Sequence, residues 1–312
     1  MKNRATPLIL LCLSLALSGC TLTSHPLDGQ RAPGKASSSA EMERQLSQPG
    51  IVQLETVNSA DWAVALSGGL NLKSPEAIKA GLQDRDEPIQ IYAYVLKHPT
   101  RGNFIVDTGV SRKVLAQPSE HGLNWLLQKV LNLDKLRINK STSEMLAPVN
   151  GKLAGVMMTH LHLDHIMGMP DIANDVPLYV GATESQESTF NNFFVRGATD
   201  TLLKGKRALQ EWRFQPDPQN QFEGIVDVFE DGSVFAIQVP GHTAGSTAYL
   251  IRTTSGPVLL TGDACITRWG WEHTVEPGDF TSDHERNLKS LKNMKALVAR
   301  HPEIEVRLGH QH

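Results

Sequence analysis

Between Thr159 and His165 the chain reads THLHLDH, three imidazoles and a carboxylate within six positions, directly behind the apolar Val156-Met-Met158. Imidazole and carboxylate are the ligand types that hold zinc and similar divalent ions. In an extended loop, residues two apart turn to the same side, so His160 and His162 can reach one ion while Asp164 and His165 reach around to another. A histidine pair alone is more often surface decoration. The density of this stretch, and its place after a buried-looking run, argue for metal.

Three further places supply what a complete site requires. Val239-Pro-Gly-His242-Thr-Ala-Gly-Ser246 sets a histidine between glycines, where the backbone can turn sharply enough to aim it inward. Leu260-Thr-Gly-Asp263-Ala264 sets a carboxylate after an apolar run, and Leu308-Gly-His310 sets a histidine after the last one. Each alone is ordinary turn chemistry; their order and shared placement at strand ends point to convergence.

Elements must end where those side chains begin. Gln90–Leu96 (QIYAYVL) and Asn103–Asp107 (NFIVD) are dominated by β-branched and aromatic residues and flank the turn-forming Pro99-Thr-Arg-Gly102, which predicts a hairpin. A helix is predicted over 123–133, with Leu123, Leu126, Val130 and Leu133 on one face. Short buried strands are predicted at Ala154–Met158 and Pro177–Val180, and further strands at Ser233–Val239, Ser246–Ile251, Pro257–Leu260 and Ile304–Leu308. The last helix has Ser282 and Glu285 spaced as a capping box, and Leu288, Leu291, Met294, Leu297 and Val298 form its apolar stripe. Strands in runs, with helices between and after them, argue for a layered α/β architecture.

The N-terminal segment and the composition narrow the class. Lys2 and Arg4 precede an apolar run shorter than the roughly 20 residues that span a bilayer, so residues 1–19 read as a signal peptide. Leu17-Ser-Gly-Cys20 is similar to the lipobox of bacterial lipoproteins. That implies a lipid on Cys20 and, with Thr21 next, the periplasmic side of the outer membrane; a soluble periplasmic or secreted protein is the alternative. Residues 20–48, polar and rich in Ser, Pro and Gly, are expected to be a flexible tether, with one folded domain over 49–312 that begins near Ile51. Cys265 alone would remain in the fold, leaving no disulfide. A formal charge of −3 and no basic run longer than Lys204-Gly-Lys-Arg207 give no electrostatic footprint for nucleic acid. The expected partner is a small uncharged or weakly charged substrate.

THLHLDH, PGHTAGS, TGDA and LGH together resemble the metallo-β-lactamase fold hydrolases, and Phe104-Ile-Val-Asp107-Thr-Gly109 is similar to the strand and aspartate that precede them in that family. The match runs from about Gln90 to His310. The resemblance implies a four-layer αββα sandwich with two divalent ions at one edge, zinc first and manganese, cobalt or iron as alternatives. By position it implies His160, His162 and His242 on one ion, Asp164, His165 and His310 on the other, and Asp263 bridging. The resemblance also implies that Asp107 supports the histidine loop instead of binding metal. His25, His98, His121, His273, His284, His301 and His312 fall outside the pattern, with His312 the substitute if the terminal ligand is displaced.

Two ions about 3.5–4 Å apart share a water and lower its pKa towards neutrality. The expected reaction is attack of the bridging hydroxide on a lactone or ester carbonyl, with Asp164 relaying the proton to the leaving group. Within the family, a nuclease brings an inserted domain or basic surface, a glutathione-thioester hydrolase a helical extension past the last histidine, and a flavodiiron oxidoreductase a glutamate where His162 stands. The β-lactamases generally lack the aspartate at Asp263. What remains is most similar to the quorum-quenching lactonases, often dimers, which usually carry a tyrosine three residues after the bridging aspartate; Ile266 stands there. The alternatives are a phosphotriesterase or aryl esterase, a β-lactam hydrolase, or, from another class, a non-catalytic metal-binding lipoprotein. The segment 183–214 could form a lid. Phe190, Phe193 and Phe194 within it, and Trp269 and Trp271 after Asp263, either line a hydrophobic pocket or pack as core.

Overall fold

The computed structural model describes residues 21–29, 33–188 and 192–312, without the side chains of Asn192 and Phe193. Its strands, in chain order, are β1 (Lys35–Ser37), β2 (Gln53–Ala65), β3 (Asp86–His98), β4 (Gly102–Val106), β5 (Arg137–Ile138), β6 (Gly155–Met157), β7 (Leu178–Val180), β8 (Leu209–Glu211), β9 (Ile225–Asp227), β10 (Val234–Gln238), β11 (Thr247–Thr253), β12 (Gly256–Leu260) and β13 (Glu305–Arg307). They form a seven-stranded sheet ordered β5-β2-β3-β4-β6-β7-β8 and a six-stranded sheet ordered β1-β9-β10-β11-β12-β13.

Alternation along the strands builds the layers. Phe104 and Val106 join Tyr249, Ile251 and Leu260 in an apolar core between the two sheets. Ile105, one residue out of phase, packs on the opposite face with Leu123, Leu127, Ile166 and Leu202. Leu250 and Leu259 turn outward from the second sheet onto Met42, Met294 and Leu297. Helix, sheet, sheet and helix follow in that order, the expected αββα sandwich.

Strand direction then decides where the chemistry sits. The β3–β4 hairpin forms as predicted, with Tyr94 opposite Val106, and β4, β6, β7 and β8 run parallel. In the second sheet β10 and β12 are each antiparallel to β11, and β13 is parallel to β12. The ends of β4 and β6 deliver Asp107 and the histidine-rich stretch, while the ends of β10, β12 and β13 deliver His242, Asp263 and His310.

Three expectations are corrected. The described part of residues 20–48 is packed, not loose. Thr21 bridges Ser188, Leu27 bridges Leu209, β1 pairs with β9, and Ser39–Leu46 is a helix closed by a Ser38/Glu41 capping box. Polar composition hid the Met42/Leu46 spacing, which lays both side chains on the second sheet. The helix expected over 123–133 is the shorter Trp125–Val130, capped by Asn124 and followed by Asn132 at φ 49°. Leu127 is its buried residue, whereas Leu126 and Val130 are exposed. The last helix, His284–Arg300, is capped by the Asp283 carboxylate, which accepts from Arg286 N; Ser282 is not the cap. The segment 183–214 holds the helix Asn192–Leu203 and, at its far end, strand β8. The signal peptide, Cys20 and Phe190 lie outside the described residues. Among the described residues no helix is long and apolar enough to cross a membrane.

Leu22 is fully buried, and its amide donates to Glu187 O at 2.9 Å. Leu22→Ala is therefore expected to lower the unfolding free energy by about 2–5 kcal/mol. A lowered urea midpoint at constant slope reports it; a loose tether predicts no change.

Candidate metal centre

Asp107 stands at φ 54°, just past β4. Its Oδ1 accepts from Thr159 N at 2.8 Å, and its Oδ2 accepts from Thr159 Oγ1 at 2.9 Å and faces His165 Nδ1 at 2.8 Å. One carboxylate thus fixes the entry to the histidine stretch and the ring orientation of its last member. A single helical turn, Leu163–Ile166, begins at His162 and folds Asp164 and His165 back towards His160.

Asp263 sits in the 3-10 turn Gly262–Ala264. Gly262 has φ 51°, and a Cβ there would lie 2.7 Å from Thr159 Cβ. A Cβ on Gly309 would lie 2.3 Å from Asp263 Oδ1, so only glycine lets the end of β13 bring His310 alongside that carboxylate. The last helix steadies the Asp263 turn and the His242 loop: Asn287 Nδ2 donates to Ala264 O at 2.9 Å and Ser290 Oγ donates to Pro240 O at 2.8 Å.

These loops assemble two adjoining groups, His160, His162 and His242, and Asp164, His165, Asp263 and His310, whose ligand atoms lie within 4.8 Å of one another in each group. In the first, His242 Nε2 is 2.9 Å from His162 Nδ1. In the second, His310 Nε2 is 3.1 Å from Asp164 Oδ2, and His165 Nε2 is 3.6 Å from the same oxygen. Asp263 faces both groups. Its Oδ2 lies 3.6 Å from His242 Nε2 and 4.0 Å from His160 Nε2, while its Oδ1 lies 3.3 Å from His310 Nε2 and 3.4 Å from His165 Nε2.

His160 Nε2, His165 Nε2 and Asp263 Oδ1 are buried without a hydrogen-bond partner. Buried polar atoms are ordinarily paired, and three orphans pointing inward at imidazole and carboxylate neighbours fit divalent cations. His310 Nδ1 is held by Gln90 O at 2.7 Å, which leaves Nε2 for the centre.

Electrostatics divide the groups. Burial, then the neighbouring imidazoles His165 and His162, holds His160 well below the usual histidine range; burial and His162 bring His242 down to about 3. Both are neutral, as metal ligands must be. Burial also opposes charge on His310 and His165, but Asp263 and Asp164 outweigh it at His310, which rises to about 10. Asp164, Asp107 and Asp263 raise His165 well above its ordinary value. Despite burial, His165 and His310 bring Asp164 down to about 2.

The other candidates fall elsewhere. Trp271 packs against Cys265 and Leu291 under the Lys295 ammonium, and Trp269 packs with Leu66 and Leu70 and stacks on His273. Phe194 is exposed. His312 stacks on Tyr92 at 3.7 Å and meets Tyr94 Oη at 3.0 Å, so it stands apart from the ligands. His98, His284 and His301 pair with Asp231, Glu276 and Glu43. Sequence reasoning missed Glu184 and Glu187, which touch the ligand loops from behind. A carboxylate just past β7, like those just past β4 and β12, was the available signal. Burial pushes Glu184 up to about 7 against the donors around it.

A family model described as the metallo-beta-lactamase superfamily matches residues 86–310. The chain is 28% identical over 218 residues to N-acyl homoserine lactonase AttM of Rhizobium johnstonii, covering 69% of this chain and 80% of the relative. It is 27% identical over 226 residues to an N-acyl homoserine lactonase of a Bacillus species, covering 71% and 81%. Among solved structures, a quorum-quenching N-acyl homoserine lactone lactonase superposes with a TM-score of 0.58 at 19% identity, over 90% of this chain and 94% of that one. AidC, described as a dizinc quorum-quenching lactonase, superposes at 0.55 and 13% identity, over 90% and 91%.

Protonated His165 and His310 stabilise the metal-free fold below the unfolded value of 6.5, and that contribution is lost as pH rises through the folded value, about 10 for His310. The thermal midpoint of chelator-treated protein is expected to fall between pH 6.5 and 10. Metal displaces those protons, so its affinity should rise over the same interval. A chelated midpoint that climbs instead contradicts this proton placement.

Proposed function

Because the chain belongs to the metallo-beta-lactamase superfamily, we propose that this lactonase-like hydrolase works with two divalent ions and opens a lactone or ester bearing a hydrophobic acyl or aryl group. The observation that carries the reading is Asp263, whose two carboxylate oxygens face the two ligand groups, one each. His160, His162 and His242 would hold one ion, Asp164, His165 and His310 the other, and Asp263 both. A pair of divalent ions supplies Lewis acidity and a water of lowered pKa, with zinc the first choice and manganese, cobalt or iron accepted by the same donors.

The chain's own residues do the rest. Asp107 and Gln90 O fix the rings of His165 and His310 from behind. Asp164, the most exposed carboxylate of the group at 18%, is the group that passes a proton to the leaving oxygen. Asp164→Ala is expected to lower turnover about 10²–10⁴-fold while the ion at His160, His162 and His242 is retained. Equal loss of that ion and of turnover defeats the relay.

Ile266 shapes the substrate. It is buried, its carbonyl accepts from His310 N at 3.2 Å, and its Cγ2 lies 3.3 Å from where a Cβ on Gly69 would be. Phe280, half exposed, packs on Gly68 one residue before Thr281, whose Oγ1 is 3.5 Å from His242 Nδ1. An apolar wall beside the centre suits an acyl or aryl group, but Ile266 cannot donate a hydrogen bond to a lactone. That favours, as a second reading, activated aryl esters or phosphotriesters.

A panel of acyl lactones, aryl esters, phosphotriesters and a β-lactam, run on zinc, manganese and cobalt forms, tests the assignment. Hydrolysis of acyl lactones is expected, and Ile266→Tyr should raise kcat/KM on them about threefold to tenfold, the worth of one hydrogen bond. Fewer than two ions per chain, or no turnover in any arm, defeats the proposal.

The same reading extends to anchorage. A lipid on Cys20 at the periplasmic side of the outer membrane would hold the enzyme at a surface, and an intact mass of the mature chain tests it.

A further inference from the structure

Glu184 is fully buried just past β7, on no strand that bears a ligand. Its Oε1 accepts from Leu161 N at 2.8 Å. Its Oε2 accepts from Thr243 Oγ1 at 2.6 Å and from Gly245 N at 3.1 Å. Leu161 lies between His160 and His162 on a loop of the first sheet, and Thr243 follows His242 on a loop of the second. A single carboxylate therefore spans the two loops that contribute the His160–His162–His242 group; of the loops that carry the other group it touches the shared one alone, at Leu161, ahead of Asp164 and His165. Glu187, one turn on, braces the same loop, with Oε2 accepting from Ala244 N at 2.6 Å and Oε1 from the Ser282 hydroxyl.

We propose that Glu184 is a positioning residue for the His160–His162–His242 ion, holding loops from opposite sheets at the separation that one metal requires. The proposal rests on the dinuclear reading above. The chemistry singles out a carboxylate. Both oxygens receive donors, so the side chain has to be an acceptor at each end. Glutamine has nearly the same shape but an NH2 in place of one oxygen. Whichever way it turns, that NH2 meets a backbone N–H, either Leu161 N or Gly245 N, and one loop loses its acceptor. Partners behind metal ligands of this kind are typically worth about 10- to 100-fold in metal affinity.

The test is a cobalt(II) titration of the metal-free full-length chain, followed by the visible absorption of the bound ion, with His242→Ala and His310→Ala assigning the two binding steps. In Glu184→Gln the step belonging to His160, His162 and His242 should weaken about 10- to 100-fold and change its absorption, while the step belonging to Asp164, His165 and His310 moves less than threefold. Thr243→Val, which removes one donor and keeps the shape, should weaken the same step by a smaller factor. An unchanged first step in Glu184→Gln, or an equal weakening of both, overturns the role. If Glu184→Gln does not fold, an unchanged step in Thr243→Val overturns it instead. A wild-type chain that takes up fewer than two cobalt ions overturns the dinuclear reading itself, which separates the two failures.

Discussion

Imidazoles and carboxylates that point at one another in a largely buried cluster impose the governing constraint on this fold. Charges and unpaired polar atoms taken out of water are costly unless something compensates them. His160, His165, Asp263 and their neighbours can be satisfied by a proton or by a cation, and by little else. The two halves of the cluster answer differently. The histidine-only group stays neutral because burial and its own neighbouring imidazoles outweigh the one carboxylate that faces it, Asp263, while His165 and His310 lie against several carboxylates that keep them charged. One group is poised for metal; the other must first give up protons.

Everything that positions the cluster follows from strand direction. Parallel β4 and β6 end on one edge of the first sheet, and β10, β12 and β13 end on one edge of the second. Side chains from distant parts of the sequence then meet without any long excursion of the chain. Close approach at Gly309 and the left-handed turn at Gly262 remove the last obstacles, and buried Asn287 and Ser290 secure the loops from the final helix.

Much of this was legible in the sequence. The hairpin, the buried strands and the THLHLDH stretch carry strong local signals, because periodicity and residue density act over a few residues, whereas His242, Asp263 and His310 are weak one by one and become legible only through their order and shared placement at strand ends. What stayed hidden depends on partners far along the chain. Leu126 and Val130 satisfy a helical spacing but lose their place to Leu127, since Asn124 sets the start of the helix. Trp271 reads as a pocket wall until Lys295 and Leu291 close over it. Glu184 carries no motif of its own, and its meaning appears only when β7 brings it between two loops. Residues 21–48 looked loose because polar composition masks two apolar anchors, Leu22 and Met42, that reach the body.

That N-terminal run has a mechanical corollary. Thr21 is pinned to Ser188 and the Thr23 and Ser24 side chains to Asp200, so the described chain is fastened to the body from Thr21 on. If the proposed lipid is on Cys20, it would be joined to a segment packed on the body and not to a long loose tether.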